Sequence, residues 1–315
     1  MKDSILYIVV PCYNEEEVLE ETTKRLTIKL QKMIDSKIIS KKSKIMYVND
    51  GSKDNTWKLI KKLNSENKFV IGVKLSRNRG HQNALLAGLM TAKEYADIIV
   101  SMDADLQDDI EVLDEFVKEY YNGSEVVYGV RSSRKKDSYF KRTTAQMYYK
   151  LMSKLGVDII YNHADYRLMS KRAVEELSNY KEVNLFLRGI IPLIGFKASI
   201  VKYVRNERFA GKSKYPLKKM INFALEGILS FSVKPLRIIT TVGFSVSFFS
   251  FIFLLYVIIG HFISGNVVGW TTIVALICFF GGFQIFCIGV IGEYIGKIYN
   301  ETKARPRYII EKVVK

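Results

Sequence analysis

Charged residues are absent from a long C-terminal part of this 315-residue sequence: no Asp, Glu, Lys or Arg occurs between Arg237 and Glu293. This run is too long and too apolar for a helix in a soluble core. A small polar break, HFISGNVVGW, divides it into Ile238–Ile259 and Thr271–Gly292, of 22 residues each. At about 1.5 Å per residue, each stretch can cross a bilayer core of roughly 30 Å. The sequence therefore predicts a membrane hairpin; two buried helices of a soluble protein are the alternative.

Cysteine and several nucleotide-binding motifs are also scarce or missing. The three cysteines, Cys12, Cys278 and Cys287, offer no disulfide framework and no CxxC metal pattern. No GxGxxG motif occurs. The segment AGKS ends like a P-loop, but Asn206 stands where that motif requires glycine. A kinase, an ATPase and a dinucleotide enzyme are therefore disfavoured.

Positive charge is in excess, with a formal net charge of +16, and it flanks the apolar run. Residues 197–237 hold ten Lys and Arg against two Glu, and residues 293–315 hold six against three. By the positive-inside rule, both flanks and both termini are expected on the cytoplasmic side of the cell membrane. The run ILYIVV stops at Pro11, so no signal peptide is expected. We interpret the charge as attraction to anionic lipid head groups, with no nucleic acid partner.

Short β-branched runs alternate with amphipathic stretches in the N-terminal part, which indicates an α/β domain with a mainly parallel sheet. The predicted strands are 5–10, 44–49, 69–75, 97–102 and 125–130. The predicted helices are Glu15–Met33, Asn55–Asn64, Asn83–Glu94 and Ile110–Tyr121. In such a domain, ligands bind at the carboxyl ends of the strands.

Four regions are predicted along the chain: an α/β domain at 1–214, a juxtamembrane amphipathic helix at 215–236, the membrane hairpin at 237–292 and a basic cytoplasmic tail at 293–315. The amphipathic helix has a polar stripe and an apolar stripe, so it can lie in the membrane interface. Packing of this helix against the α/β domain is the alternative.

Acidic residues follow the fourth predicted strand in the segment DADLQDD, 103–109, and polar loops also follow the first two strands. Asp103 and Asp105 are hard oxygen ligands of the kind that Mg²⁺ or Mn²⁺ combines with water and substrate phosphate. Helix capping is the alternative role for carboxylates in such a segment. We predict that Asp103 and Asp105 hold a divalent metal that receives a diphosphate.

Basic residues follow the fifth predicted strand and recur near the end of the α/β domain. Arginine presents a planar fork of donors that matches phosphate oxygens, so these residues predict a site for a phosphate carried by a lipid. Solvated charge and head-group binding are the alternatives. The predicted phosphate-binding residues are Arg131, Arg205, Arg208, Ser213 and Lys214, with Arg134, Lys212 and Tyr215 nearby.

The segments PCYNEEE, VNDGSKDNT, SRNRGHQNALLAGL, DADLQDD and FAGKSKY, followed by two membrane spans, resemble glycosyltransferase family 2 and, within it, the polyprenyl-phosphate glycosyltransferases. The resemblance extends over nearly the whole chain. It implies a GT-A (Rossmann-like) fold and a metal-dependent, inverting transfer of a sugar from a nucleotide diphosphate-sugar to polyprenyl phosphate. The QxxRW motif of the family's processive polymerases is not found, which disfavours chain elongation.

The resemblance also implies roles for single residues. Asp105 would be the direct metal ligand, and Asp165 matches the position of the family's candidate base; with Arg131 they are the predicted catalytic residues. Asn49 stands where many relatives have Asp. The predicted nucleotide-sugar-binding residues are Pro11, Tyr13, Glu15, Asp50, Arg77, Asp103 and Gln107.

Two of these predictions, for Asp165 and Arg77, have alternatives, and His81 is expected to be structural rather than catalytic. A phosphate monoester is largely a dianion at neutral pH because its second pKa lies near 6, so the acceptor needs little help from a base. Asp165 would then orient the acceptor or a sugar hydroxyl. Arg77 is equally compatible with a solvated arginine at a strand end. His81 has no His or Cys partner at ligand spacing, so a structural role is expected.

UDP-glucose or UDP-N-acetylglucosamine is the expected donor, ahead of GDP-mannose, and undecaprenyl phosphate is the expected acceptor. A glycosyltransferase acting on a glycolipid or polysaccharide is one alternative function. A non-catalytic membrane partner that binds nucleotide sugars is the other. A homo-oligomeric state is left open by the sequence.

Overall fold

A computed structural model describes residues 3–132, 163–183, 185–205, 233–264 and 269–315. Eight strands in these residues form one mixed sheet with the order β7-β5-β6-β4-β1-β2-β3-β8. The strands are β1 Leu6–Cys12, β2 Lys44–Asn49, β3 Val70–Leu75, β4 Ile98–Ser101, β5 Val126–Arg131, β6 His163–Ser170, β7 Ala198–Tyr203 and β8 Ile310–Val314. All five strands predicted from the sequence are confirmed as β1 to β5.

The strand directions bring most loops of interest to one edge of the sheet. Strands β3, β2, β1 and β4 run parallel, and β5 runs parallel to β7. Strand β6 lies antiparallel between β4 and β5. The carboxyl ends of β1 to β5 and β7 therefore meet at the same edge as the amino end of β6, which is the usual ligand-binding edge of an open α/β sheet.

The helices in the described residues cover both faces of the sheet and continue into two long C-terminal segments. They are α1 Leu19–Asp35, α2 Thr56–Glu66, α3 His81–Ala92, α4 Leu113–Tyr121 (preceded by a 3₁₀ turn, Ile110–Val112), α5 Lys171–Leu177, α6 Leu187–Leu193, α7 Lys234–Ser264 and α8 Trp270–Thr302. The four helices predicted in the α/β domain correspond to α1 to α4, with ends shifted by a few residues.

The sheet is packed between two helical layers. Alternate residues of β1 contribute to the two cores, with Ile8 on the side of α1, α2 and α4 and Val9 on the side of α3, α5 and α6. All seven residues of β1 are buried, as expected for a strand covered on both faces. Helix α3 can approach closely because of Gly88, where an added Cβ would lie 2.3 Å from Cγ1 of Val9. The predicted α/β domain with a mainly parallel sheet is therefore confirmed.

The two predicted membrane spans lie within α7 and α8, both long and apolar enough to cross a membrane. The candidate spans within them, Lys234–Phe253 and Phe279–Thr302, have mean hydropathies of 1.7 and 1.4, and neither is buried against the rest of the protein. Large apolar side chains such as Phe244 and Ile285 are instead exposed. Two buried helices of a soluble core are thereby contradicted, and association with a membrane accounts for the exposed apolar surface.

The predicted basic tail, 293–315, requires a correction. Helix α8 continues to Thr302, and residues 310–314 form β8, which pairs antiparallel with β3 at the edge of the sheet. Lys74 of β3 and Glu311 of β8 form an ion pair at 2.8 Å. Charge composition alone indicated a basic tail, but the β-branched residues Ile310, Val313 and Val314 suit a strand that pairs with β3.

The predicted juxtamembrane helix, 215–236, lies outside the described residues except at its end, where α7 begins at Lys234. The same holds for Arg134, Arg208, Lys212, Ser213, Lys214 and Tyr215. These predictions remain predictions.

Candidate active site

The loops after β1 and β2 are connected by backbone-to-side-chain hydrogen bonds. The amide of Asn14 donates to Oγ of Ser52 at 3.0 Å, and the amide of Glu15 donates to Oγ1 of Thr56 at 2.9 Å. These bonds fix the loop after β1 at the ligand-binding edge of the sheet. Of the predicted nucleotide-pocket residues, Pro11 lies within β1, and Tyr13 and Glu15 lie in this loop.

The loop after β2 holds the loop after β3. Asp50 is buried, and its carboxylate accepts hydrogen bonds from the amides of Arg79 at 2.7 Å and Gly80 at 2.9 Å. Gly51 has φ of +62°, and a Cβ there would lie 2.5 Å from the amide nitrogen of Asn78. Both oxygens of Asp50 are thus engaged in supporting the chain that leads into α3.

Two predicted residues near this loop differ in exposure. Arg77 is exposed in the loop after β3. Asn49 is fully buried; its Oδ1 accepts from the amide of Ser52 at 3.4 Å, whereas its Nδ2 has no hydrogen-bond partner among the described residues. An amide in this place offers a buried donor that an aspartate would not provide.

The acidic turn, residues 103–109, leaves the carboxyl end of β4. Oδ1 of Asp105 accepts from the amide of Gln107 at 3.2 Å, and Asp109 caps the 3₁₀ turn by accepting from the amide of Glu111 at 3.0 Å. Asp108 is buried and accepts a hydrogen bond from the hydroxyl of Tyr203 at the end of β7. Capping therefore explains Asp109 but not Asp103 and Asp105.

Negative charge accumulates in this turn. Burial and the nearby carboxylates of Asp165 and Asp105 raise the pKa of Asp103, against the opposing effect of His81. Burial and the charge of Asp103 raise the pKa of Asp108 to about 7. Because burial and mutual repulsion make these carboxylates costly to ionise, a site that holds several of them is suited to a cation.

Asp165 lies at the start of β6, and two arginines bind its buried carboxylate. Nε and Nη2 of Arg188 donate to Oδ1 and Oδ2 at 3.1 and 3.0 Å, and Nη2 of Arg167 donates to Oδ1. Burial alone would raise the pKa of Asp165, but Arg188, His81 and Arg167 hold it well below its ordinary value. Such a carboxylate is a weak proton acceptor, so this environment does not favour a general base.

Two further arginines, Arg131 at the end of β5 and Arg205 after β7, lie at the acidic turn. Arg205 donates from Nη2 to Oε1 of Gln107. Burial and the neighbouring charge of Arg131 lower the pKa of Arg205. The Nε atoms of both arginines are buried and have no hydrogen-bond partner among the described residues. Two close cations with unused donors form a site for an anion.

The donor atoms at the acidic turn bear on the predicted metal site. No group of three or more His, Cys, Asp or Glu side chains in the described residues is arranged to hold a metal ion. Mg²⁺ and Mn²⁺ are commonly held by one or two carboxylates together with substrate phosphate. Asp103 and Asp105 fit that smaller donor set, and the surrounding negative charge favours a cation.

Sequence reasoning missed two residues of the site. Arg188 stands in the apolar segment NLFLRGIIPLIG, and a single arginine in such a segment is a usable signal for a buried partner. Tyr203 carried no comparable signal. His81, expected to be structural, lies within the site, with Nε2 3.7 Å from Oδ1 of Asp103 and 3.6 Å from Oδ2 of Asp165.

Comparison with known families identifies two matched regions. Residues 7–178 match the family model described as glycosyl transferase family 2. Residues 234–298 match the model described as the GtrB C-terminal hairpin. The first match contains the loops at the ligand-binding edge up to β6, and the second contains α7 and most of α8.

Several curated proteins are similar over nearly the whole chain. An uncharacterized glycosyltransferase of Bacillus subtilis, YkoT, is 54% identical over 99% of this chain and 93% of its own length. A prophage bactoprenol glucosyl transferase homolog of Escherichia coli is 42% identical over 98% and 99%. A bactoprenol glucosyl transferase of Shigella phage SfII is 41% identical over 97% of each chain.

Solved structures resemble this chain more distantly. Glucosyl-3-phosphoglycerate synthase from Mycobacterium tuberculosis, in complex with Mn²⁺, UDP and glucosyl-3-phosphoglycerate, is 16% identical over 72% of this chain and 78% of that one, with a TM-score of 0.43. A mannosyltransferase from Pyrobaculum calidifontis, in complex with GDP-Man and Mn²⁺, is 15% identical over 95% and 85%, also with a TM-score of 0.43.

Proposed function

We propose that this chain, which belongs to glycosyl transferase family 2 and is a glycosyltransferase of GT-A fold, transfers a sugar from a nucleotide diphosphate-sugar to a polyprenyl phosphate at the cytoplasmic face of the membrane. The observation that carries the proposal is the position of Arg131 and Arg205 against the acidic turn. This position supports a cation site and an anion site side by side, as a reaction between a donor diphosphate and an acceptor phosphate requires.

The donor would bind at the loops after β1, β2 and β4. Asp103 and Asp105 would hold a divalent metal together with the donor diphosphate, and that metal would offset the negative charge of the leaving nucleotide diphosphate. The curated relatives named as glucosyl transferases support glucose as the sugar, and we propose UDP-glucose first, UDP-N-acetylglucosamine second and GDP-mannose behind both.

The acceptor phosphate would bind Arg131 and Arg205 and attack the anomeric carbon from the face opposite the leaving diphosphate. The configuration at that carbon would therefore be inverted. The acceptor is already largely a dianion at neutral pH, so no base is needed to generate the nucleophile. This agrees with the environment of Asp165, in which two arginines engage the carboxylate.

The membrane hairpin is explained by the acceptor. Each CH₂ buried in the bilayer contributes about 0.8 kcal/mol, so a polyprenyl chain stays in the membrane and the enzyme must reach its phosphate there. The excess of Lys and Arg on both flanks of the hairpin supports a cytoplasmic location of both ends.

The proposal is tested with the full chain purified in lipid nanodiscs. Undecaprenyl phosphate is supplied with labelled UDP-glucose, UDP-N-acetylglucosamine or GDP-mannose, with Mg²⁺, Mn²⁺ or EDTA, and labelled lipid is measured. We expect labelled lipid with one donor, lost in EDTA and in Asp105→Ala. A glycolipid and a polysaccharide serve as competing acceptors. Absence of labelled undecaprenyl phosphate with every donor would overturn the proposal, and label only on another acceptor would assign the alternative function.

A further inference from the structure

Arg188 is bound to Asp165 in a two-pronged arrangement. Its Nε and Nη2 each donate to a different oxygen of the carboxylate, at 3.1 and 3.0 Å, a geometry that fixes the orientation of both groups. Asp165 is almost completely buried, whereas the side chain of Arg188 is 29% exposed. Helix α6, which carries Arg188, therefore helps to fix this carboxylate, together with Arg167 of β6.

The other side of Asp165 faces His81. Nε2 of His81 lies 3.6 Å from Oδ2 of Asp165 and 3.7 Å from Oδ1 of Asp103. Both distances are longer than a normal hydrogen bond, so the imidazole lies between the two carboxylates in electrostatic contact with both. A displacement of Asp165 would therefore displace His81 from the acidic turn.

The backbone of His81 is held separately from its ring. His81 is the first residue of α3, directly after Gly80, whose amide is held by Asp50. The backbone is thus fixed from the β2 side, and the ring is oriented from the β6 side. The ring needs Asp165 in place because the backbone alone leaves its side-chain torsions free.

We propose that Arg188 is a positioning residue of the transfer reaction: it holds Asp165, and through Asp165 it keeps His81 beside Asp103, where the donor sugar and diphosphate react. As a step in catalysis the inference rests on the proposed function; as a statement about side-chain arrangement it does not. It assigns Asp165 to orientation, since three hydrogen bonds from two arginines occupy its carboxylate.

A double-mutant cycle tests the order of these contacts. We expect Arg188→Ala to lower kcat about tenfold or more while changing the donor KM by less than about threefold, because orientation and not binding is lost. Asp165→Asn should have a similar effect, and the double variant should be no slower than the slower single variant. Arg172→Ala is the matched control, since Arg172 is an exposed arginine on the neighbouring helix α5.

Partial restoration separates positioning from a general loss of structure. Arg188→Lys should lie between wild type and Arg188→Ala, because a lysine can reach one carboxylate oxygen but cannot form the fork. Added guanidinium should restore part of the activity of Arg188→Ala and none of that of Asp165→Asn. If Arg188 instead bound the donor directly, Arg188→Ala would raise the donor KM both in the wild type and in Asp165→Asn. The losses of activity of the two single variants would then multiply in the double variant, and this result would overturn the inference.

A spectroscopic measurement distinguishes failure of this inference from failure of the proposed function. The chain has three histidines, so ¹⁵N-histidine labelling gives a small set of side-chain signals, and His81→Asn identifies the one that matters. Arg188→Ala should shift the His81 signal, and Arg172→Ala should not. A shifted signal in a protein that transfers no sugar would uphold the arrangement and reject the function. An unshifted signal, with unchanged transfer rates, would reject the inference alone.

Discussion

The hydroxyl of Tyr203 donates a hydrogen bond to Oδ1 of Asp108 over 2.5 Å and so joins the end of β7 to the acidic turn after β4, 95 residues earlier in the chain. Oδ2 of Asp108 is buried without a hydrogen-bond partner among the described residues. This contact also brings Arg205, two residues after Tyr203, to Gln107. The basic and acidic parts of the site are therefore assembled by a buried carboxylate that is costly to ionise.

Asp108→Asn is expected to stabilise the metal-free protein at alkaline pH. Burial and the charge of Asp103 raise the pKa of Asp108 to about 7, above the ordinary value of 3.8. The folded state therefore binds the proton more tightly than the unfolded state, and the stability contributed by that proton is lost as the pH rises toward and through 7. An asparagine can still accept from Tyr203 but does not ionise.

Melting temperatures in EDTA at pH 5 and pH 8 measure this effect. Each pKa unit corresponds to about 1.4 kcal/mol, so the advantage of Asp108→Asn over wild type should grow by a few degrees between the two pH values. Tyr203→Phe should increase the pH dependence of the protein that retains Asp108, because the bond from Tyr203 favours the charged carboxylate. An equal difference in melting temperature between Asp108→Asn and wild type at both pH values would contradict the prediction.

Gly51→Ala is expected to disrupt the loop that leads into α3. Gly51 has φ of +62°, and a Cβ there would lie 2.5 Å from the amide nitrogen of Asn78. The loop after β3 would have to move, and the hydrogen bonds from Arg79 and Gly80 to Asp50 would be strained. We expect a loss of stability of about 2 kcal/mol or more and weaker donor binding, measured by thermal unfolding and titration with UDP.

Gly123→Ala is the control for the backbone strain alone. Gly123 also has a positive φ, of +91°, but its nearest contact for an added Cβ is the flexible end of Lys197 at 3.6 Å. This variant should lose only about 1–2 kcal/mol, the typical cost of a left-handed residue, and should keep its affinity for UDP. A similar loss of stability in Gly51→Ala and Gly123→Ala, with UDP affinity kept in both, would contradict the prediction that the clash at Gly51 disrupts the loop.

Local sequence patterns predicted much of this fold because each gave its own signal. The strands β1 to β5 are β-branched runs bounded by polar turns, and α7 and α8 are marked by the missing charges. The acidic turn was found because Asp103 and Asp105 follow directly after a buried strand. Each of these features is encoded within a few neighbouring residues.

Features that depend on distant contacts were not predicted. The sequence of β8 is typical of a charged tail because Glu311 and Lys312 lie within it. Its pairing with β3 depends on a segment more than 200 residues away in the chain. Arg188 and Tyr203 function through Asp165 and Asp108, which the chain brings to them only after folding. The roles of such residues follow from the sheet topology rather than from spacing in the sequence.

Removal of residues 310–315 is expected to destabilise the α/β domain. Strand β8 covers the outer edge of β3, and Val314 lies opposite Gly72, where its side chain fills the space left by the glycine. Without β8 the backbone of β3 becomes an exposed edge that favours aggregation. We expect a melting temperature lowered by several degrees and a tendency to aggregate, measured by thermal unfolding and light scattering.

The ion pair between Lys74 and Glu311 serves as the matched control for this truncation. Its side chains are partly exposed, so Lys74→Gln removes an interaction worth only about 0.2–1 kcal/mol and leaves the strand in place. A small effect of Lys74→Gln with a large effect of the truncation would assign the stability to strand pairing. Equal effects would assign it to the ion pair instead.

Arg131→Gln and Arg205→Gln are expected to weaken binding of the acceptor phosphate more than binding of the donor. Glutamine leaves a shorter, neutral polar side chain, so the charge that attracts a phosphate dianion is removed and the buried Nε donors are lost with it. A tenfold or larger rise in the KM for undecaprenyl phosphate, about 1.4 kcal/mol or more per arginine, should appear with a donor KM changed much less. Arg172→Gln, at an exposed position on α5, is the comparison for the loss of one positive charge.

Because Arg131 and Arg205 lie close enough to lower the pKa of Arg205, their losses should not add independently, and the double variant should show less than the product of the single effects. A rise in the donor KM equal to that of the acceptor would instead assign both arginines to the donor diphosphate.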